Sequence, residues 1–188
     1  MIKLLLSITC IFQLAQAASE IKTAEFIDLN RYLGKWYEVA AIPQPFQRDC
    51  ISNVTAEYTL AEKSQIQVFN SCTDKNGGIK SATGMAKIVD ETSNAKLKVS
   101  FIKLGAWIFI GGGDYWILDI ESEYRWAIVG DGSQKYGWIL SREPVLPLSE
   151  LKIIAEKIHA QGYDTCAFLT TIQDGGFKAR QPLCDVVE

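Results

Sequence analysis

Within Asn30-Arg31-Tyr32-Leu33-Gly34-Lys35-Trp36-Tyr37-Glu38-Val39-Ala40 the pattern of the chain changes. Up to Leu33, the segment Asp28–Leu33 reads as one helical turn. From Gly34 onward, short runs of alternating apolar and polar residues are separated by turn residues, the signature of half-buried strands. Val54, Ala56, Tyr58 and Leu60 alternate with Thr55, Glu57 and Thr59, and Leu97, Val99 and Phe101 alternate with Lys96, Lys98 and Ser100. Comparable runs cover roughly 35–42, 65–71, 79–89, 114–120, 124–130 and 136–141. Eight short strands with short connections predict an antiparallel sandwich or an up-and-down barrel in which sequence neighbours pair as hairpins.

Downstream, Leu151, Ile154, Ala155 and Ile158 form one apolar stripe of a helix expected over about 149–161. Ser149 would cap it, Glu150 would sit in its first turn and Gly162 would close it. Thr165–Gln173 then reads as a ninth strand, with an extended tail to residue 188. No internal repeat or low-complexity segment is visible.

At the other end, residues 1–17 combine Lys3, an apolar run from Leu4 to Leu14, and Ala15-Gln16-Ala17 as a small-x-small cleavage site. This predicts a secretory leader and a mature chain beginning near Ala18. The competing expectation is an outer-membrane lipoprotein acylated at Cys10. Ser7-Ile8-Thr9 fits that pattern poorly. Residues 18–188 are long enough for one well-buried domain and short for two. The 19 Lys and Arg against 22 Asp and Glu give a net charge of −3, with no basic run, so nucleic acid is not an expected partner.

Beyond the leader lie Cys50, Cys72, Cys166 and Cys184, an even number that favours two disulfides in an exported chain. A turn near Ala61–Ser64 sets position 53 roughly opposite position 72, which brings Cys50 within reach of Cys72. Cys166 and Cys184 then pair by default. No Cys-x-x-Cys occurs and His159 is the only histidine, which argues against zinc.

The segment 30–40, followed by Ile42-Pro43 and Phe46, resembles the Gly-x-Trp region of the lipocalins, in their bacterial and apolipoprotein D-like subgroup. Val54–Leu60 is similar to that subgroup's second strand. Tyr115-Trp116-Ile117-Leu118 with Glu121 and Tyr124 resembles the second family motif, with Glu121 where aspartate is usual. Trp138-Ile139-Leu140-Ser141-Arg142 resembles the third. The resemblance runs from about 26 to 173. It implies an eight-stranded all-β barrel over about 34–142, with one C-terminal helix, holding one small apolar ligand. It also implies that Gly34, Trp36 and Arg142 are structural, with the guanidinium stacked on the indole across the closed end. The subgroup offers a rival disulfide pairing, 50–184 with 72–166.

The resemblance and strand parity converge on Val54, Ala56, Tyr58, Val99, Phe101, Tyr136, Trp138 and Leu140 as inward, lipid-contacting residues. Parity does not assign Tyr115 or Trp116, because both faces there are apolar. The implied function is a carrier or scavenger of a fatty acid, lysophospholipid or similar lipid, with a role in membrane lipid maintenance. It would be exported to the periplasm or secreted, as a monomer or weak dimer. The competing readings are a lipocalin-fold enzyme with a reactive cysteine in the cup, and a module acting through the 105–110 loop.

Little favours catalysis. Paired cysteines leave no thiol, and no histidine stands by a serine or threonine in the barrel. His159, on the helix, is misplaced for a haem ligand. Asp119 and Glu121 fall at a hairpin end, as solvated turn charges do. Gly111-Gly112-Gly113 lacks the Lys-Ser/Thr of a phosphate loop. No catalytic residue, metal or cofactor is called for. The loop Gly105-Ala106-Trp107-Ile108-Phe109-Ile110 follows the fifth strand, at the expected mouth. It would either fold inward as a lid or expose Trp107, Ile108 and Phe109 to a membrane surface or a protein.

Overall fold

The computed structural model describes residues 21–62 and 65–188. The leader and Cys10 lie outside the described residues. A four-residue helix, α1 (Leu29–Tyr32), begins at Asp28, whose carboxylate accepts the Asn30 and Arg31 N–H groups. Strands β1 (Gly34–Ala41), β2 (Cys50–Leu60), β3 (Ile66–Asp74), β4 (Ile79–Ile88) and β5 (Lys96–Ser100) follow. A two-stranded hairpin of β6 (Lys103–Leu104) and β7 (Ala106–Trp107) interrupts them before β8 (Gly113–Ile120), β9 (Trp126–Gly130) and β10 (Gly137–Ser141).

Each long strand pairs antiparallel with its sequence neighbour, and β10 pairs with β1. Tyr37 lies opposite Ser141 and Ala41 opposite Trp138. The eight strands β1–β5 and β8–β10 therefore form a closed barrel, which leaves no sheet edge free.

Two cores result. The inner one holds Trp36, Tyr58, Ile66, Leu97, Ile117, Val129 and Leu140. The outer one packs Val39, Leu118, Ile128 and Ile139 of the barrel wall against Leu151, Ile154 and Ile158 of α2 (Leu148–Ala160). Strand β9 lies between the two cores, and all five of its residues are buried. This is why its sequence, Trp126-Ala127-Ile128-Val129-Gly130, is continuously apolar. Register shifts at Glu38/Ala40 and Ile117/Asp119 swing the ends of β1 and β8 outward, and Val39 and Leu118 join the outer core.

Three local expectations need correction. Helix α2 starts one residue early, at Leu148, and Ser149 does not cap it. Pro147 occupies the cap, its carbonyl accepting from Glu150 and Leu151 N–H at 3.0 and 3.1 Å. Its fixed φ suits a helix start. Gly162 ends the helix at φ +82°, a left-handed conformation that favours glycine. The segment 165–173 is not one strand. A 3-10 turn, Thr165–Ala167, is held by Asp164, and only β11 (Leu169–Thr170) pairs with Ala40 and Ala41. The tail is not wholly extended, because α3 (Leu183–Val187) buries Leu183 in the outer core. Cys50 is bonded to Cys72, and Cys166 to Cys184.

Candidate functional site

The closed end is built from α1, β1 and β10. Trp36 is fully buried and its indole Nε1 donates to the Tyr32 carbonyl at 2.8 Å. Arg142 covers the indole and donates to the carbonyls of Arg31 (2.6 Å), Lys35 (2.8 Å), Leu33 (3.0 Å) and Tyr32 (3.2 Å). A helix as short as α1 leaves its last carbonyls without internal partners, and one planar cation satisfies several of them. Gly34 adopts φ +92° beside that guanidinium. Glu121, the departure from the family's aspartate, accepts the Glu123 and Arg125 N–H groups and so holds the β8–β9 turn.

Above this floor, cross-strand registers fix which side chains face inward. Trp36, Ala56, Asn70 and Ala82 stand opposite one another across β1 to β4. Tyr58, Val68 and Gly84 form the next row, and Ile66, Ala86, Val99 and Gly113 another. Leu97 opposes Tyr115, while Ile117, Val129 and Trp138 align across β8 to β10. Many of these residues are alanine or glycine, so one side of the barrel is lined by small groups.

Of the eight residues expected to face inward, Ala56, Tyr58 and Leu140 are buried in the inner core, and Val99 and Trp138 pack against it half-buried. Val54 is buried where β1 and β2 diverge; its carbonyl accepts from the Gln173 amide at 2.7 Å. Phe101 and Tyr136 are exposed, at 49% and 38%, and stand nearer the mouth. Phe101 lies over Gly84, where a Cβ would approach its ring to 2.8 Å. Tyr136 stacks on Trp138 with ring centroids 6.1 Å apart.

Sequence reasoning missed several inward groups. Tyr115 faces the barrel interior and Trp116 the outer core. Tyr115 Oη lies 2.7 Å from Tyr32 Oη and 2.8 Å from Tyr58 Oη. Burial raises all three phenols, Tyr58 to about 12. Asn70 faces inward between two alanines, and its Oδ1 is buried without a hydrogen-bond partner. The cross-strand partners of Leu97 and Ala56 would have pointed to Tyr115 and Asn70, had the strand registers been known.

Glu38 is also buried. Its carboxylate accepts from Gln47 Nε2 (2.8 Å) and Thr171 Oγ1 (2.6 Å), and burial pushes its pKa up. The enzyme reading asks for a free thiol in the cup or a histidine beside a barrel hydroxyl. The four cysteines of the described residues are all bonded in disulfides, and His159 is exposed on α2.

In the mouth loop Trp107, Ile108 and Phe109 are half-buried, turned back along the outer face of β4. Lys103 lies over the Trp107 ring and Lys87, outward on β4, over the Phe109 ring, at 5.4 and 5.0 Å. The Ser100 hydroxyl donates to the Ile108 carbonyl and accepts the Ile102 N–H, turning the chain back over the wall. A crevice of about 480 Å³ separates the hairpin from Ala61, Glu62 and Met85. The exposed apolar residues are instead Ile102, Leu104 and Ile110.

Comparison with known proteins agrees with this geometry. Residues 27–173 match the family model described as a lipocalin-like domain. The chain is 37% identical to temperature-induced lipocalin-1 of Arabidopsis thaliana over 77% of its length and 78% of that protein's. It is 35% identical to the outer membrane lipoprotein Blc of Vibrio cholerae, over 77% and 82%. Among solved structures, insecticyanin of the tobacco hornworm Manduca sexta superposes with a TM-score of 0.67 at 19% identity. That superposition covers 88% of this chain and 94% of insecticyanin.

Proposed function

We propose, from the premise that this chain belongs to the lipocalin family, that it is a carrier or scavenger which holds a small apolar lipid in its barrel and does no chemistry on it. The observation that carries this reading is the inward surface itself. Trp138, Phe101, Tyr136 and Val99 are apolar and incompletely buried. Beside them on the same wall stand Ala56, Ala82, Gly84 and Ala86, with Ala86 paired to Val99 and Gly84 under the Phe101 ring. Each methylene that enters such a surface from water contributes about 0.8 kcal/mol, so an acyl chain would supply most of the affinity. Fatty acids and lysophospholipids fit this description, and a role in membrane lipid maintenance is in keeping with the likeness to an outer membrane lipoprotein.

Two disulfides support an oxidising compartment. We place the protein in the periplasm or outside the cell, cleaved after Ala17. Mass analysis of the mature protein checks this, and a diacylglyceryl group on Cys10 would overturn it. Contact with a membrane surface would run through Ile102, Leu104 and Ile110, not through the half-buried Trp107–Phe109.

The decisive experiment is Trp138→Glu. A brominated fatty acid should quench wild-type tryptophan fluorescence saturably. The variant should fold yet bind this probe far more weakly, because an unpaired charge would face the acyl chain. A folded variant with wild-type affinity would remove the barrel interior as the site.

A further inference from the structure

Hydrogen-bond accounting deep in the barrel leaves two groups unspent. Tyr32, Tyr115 and Tyr58 form a chain of three hydroxyls joined by two hydrogen bonds. Each hydroxyl carries one proton, so one O–H remains over, whichever way the chain is oriented. Tyr32 and Tyr58 are buried, whereas Tyr115, the middle member, is only half-buried. With both neighbours donating to it, Tyr115 keeps its own proton to donate. Burial keeps all three phenols protonated through neutral pH.

The second group is Asn70. It stands two residues nearer the mouth than Val68, the cross-strand partner of Tyr58, and its buried Oδ1 lacks a partner. Donor and acceptor capacity thus lie on the same inner surface. Among the described residues, no cation with a free N–H donor accompanies them, although the Arg142 charge is felt by Tyr32. Arg142 lies at the closed end, against Trp36, committed to backbone carbonyls, and Lys80, toward the mouth, is paired with Asp49 at 2.9 Å. A carboxylate brought down to the tyrosines would find no free N–H donor on a cation to pair with, since the Arg142 N–H groups are held by backbone carbonyls.

We propose that the preferred ligand is a neutral hydroxylated lipid, a long-chain or polycyclic alcohol, bound with its hydroxyl downward between Tyr115 and Asn70. The hydroxyl accepts from the Tyr115 O–H and donates to Asn70 Oδ1, and the hydrocarbon points to the mouth. A fatty acid binds in the opposite sense, its carboxylate left in water at the rim. This inference rests on the reading that the barrel interior holds an apolar ligand.

Tyr115→Phe removes the hydroxyl and keeps the ring; Asn70→Ala removes the acceptor. Dissociation constants of 1-dodecanol, 1-dodecene and dodecanoate are measured for the full mature chain and both variants. In each variant the affinity of dodecanol relative to dodecene, and relative to dodecanoate, should fall about ten-fold, or about 1.4 kcal/mol. Unchanged ratios in a folded variant overturn the proposal, as does a dodecanoate loss equal to the dodecanol loss. Should one variant not fold, the other carries the same test. Failure of all three probes to bind the wild type would remove the underlying carrier reading as well, a distinguishable result.

Discussion

The guanidinium carbon of Arg142 lies 3.7 Å from the centroid of the Trp36 indole, so the side chain that stacks on the barrel floor also closes the carbonyl end of α1. Lysine cannot reproduce this planar, multiply donating contact. Arg142→Lys should destabilise the protein by about 2 kcal/mol, through lost charge-assisted hydrogen bonds. For a chain of this size that lowers Tm by about 6 °C. Calorimetry checks this, and lipid affinity should not change.

Glu38 gives stability a pH dependence of definite sign. Its folded pKa is raised by burial, so the native state holds a proton that the unfolded state has already released. Stability therefore falls as pH rises from the ordinary carboxylate range through the folded value. Glu38→Gln keeps an acceptor oxygen for Gln47, presents its NH2 to the Thr171 hydroxyl, which can accept, and removes the charge. The variant should be more stable than wild type at neutral pH, and the difference should vanish in acid. Urea titrations at several pH values measure it.

Gly130 faces α2 rather than the cup. A Cβ there would overlap the Tyr163 hydroxyl, which accepts the Asp131 N–H and donates to the Asp131 carbonyl. Gly130→Ala should cost about 1–3 kcal/mol by overpacking. Tyr163→Phe combined with it should recover part of that loss, measured as a double-mutant cycle.

The two disulfides should separate functionally. Cys50–Cys72 spans 22 residues and ties β2 to β3, whereas Cys166–Cys184 spans 18 and ties α3 to the turn before β11. Replacing either pair by serine should cost about 3 kcal/mol. In the 166/184 variant, amide exchange should rise in α3 and leave the inner core protected. Exchange rising throughout the barrel would show that the tail supports more than its own docking.

Much of this architecture could be read from residue order. Gly34, Trp36 and Arg142 carried the closed end, and alternation in β2, β5 and β10 gave the inward faces of Ala56, Tyr58, Val99 and Leu140. What escaped had physical causes. Tyr115 and Trp116 could not be sorted because both faces of β8 are covered, one by the cup and one by the α2 side. The register shift after Glu38 breaks the period of two, which hid a buried carboxyl in an apparently ordinary strand. Asn70 has the polarity of an outward residue and the register of an inward one. The outward turn of the β6–β7 hairpin depends on one serine hydroxyl and two lysines that no periodicity reveals.

Closure of the barrel by β10 against β1 also has a kinetic consequence. Tyr37 finds its partner only when Ser141 is available, so this seam joins residues more than half the chain apart. A polypeptide ending before β10 exposes two unpaired strand edges at once, and such edges template association with other chains. High contact order of this kind slows folding relative to locally wired proteins. Shortened fragments that stop between β9 and β10 should aggregate. The intact protein should gain its resistance to proteolysis in one late step, as first and last strands zip together.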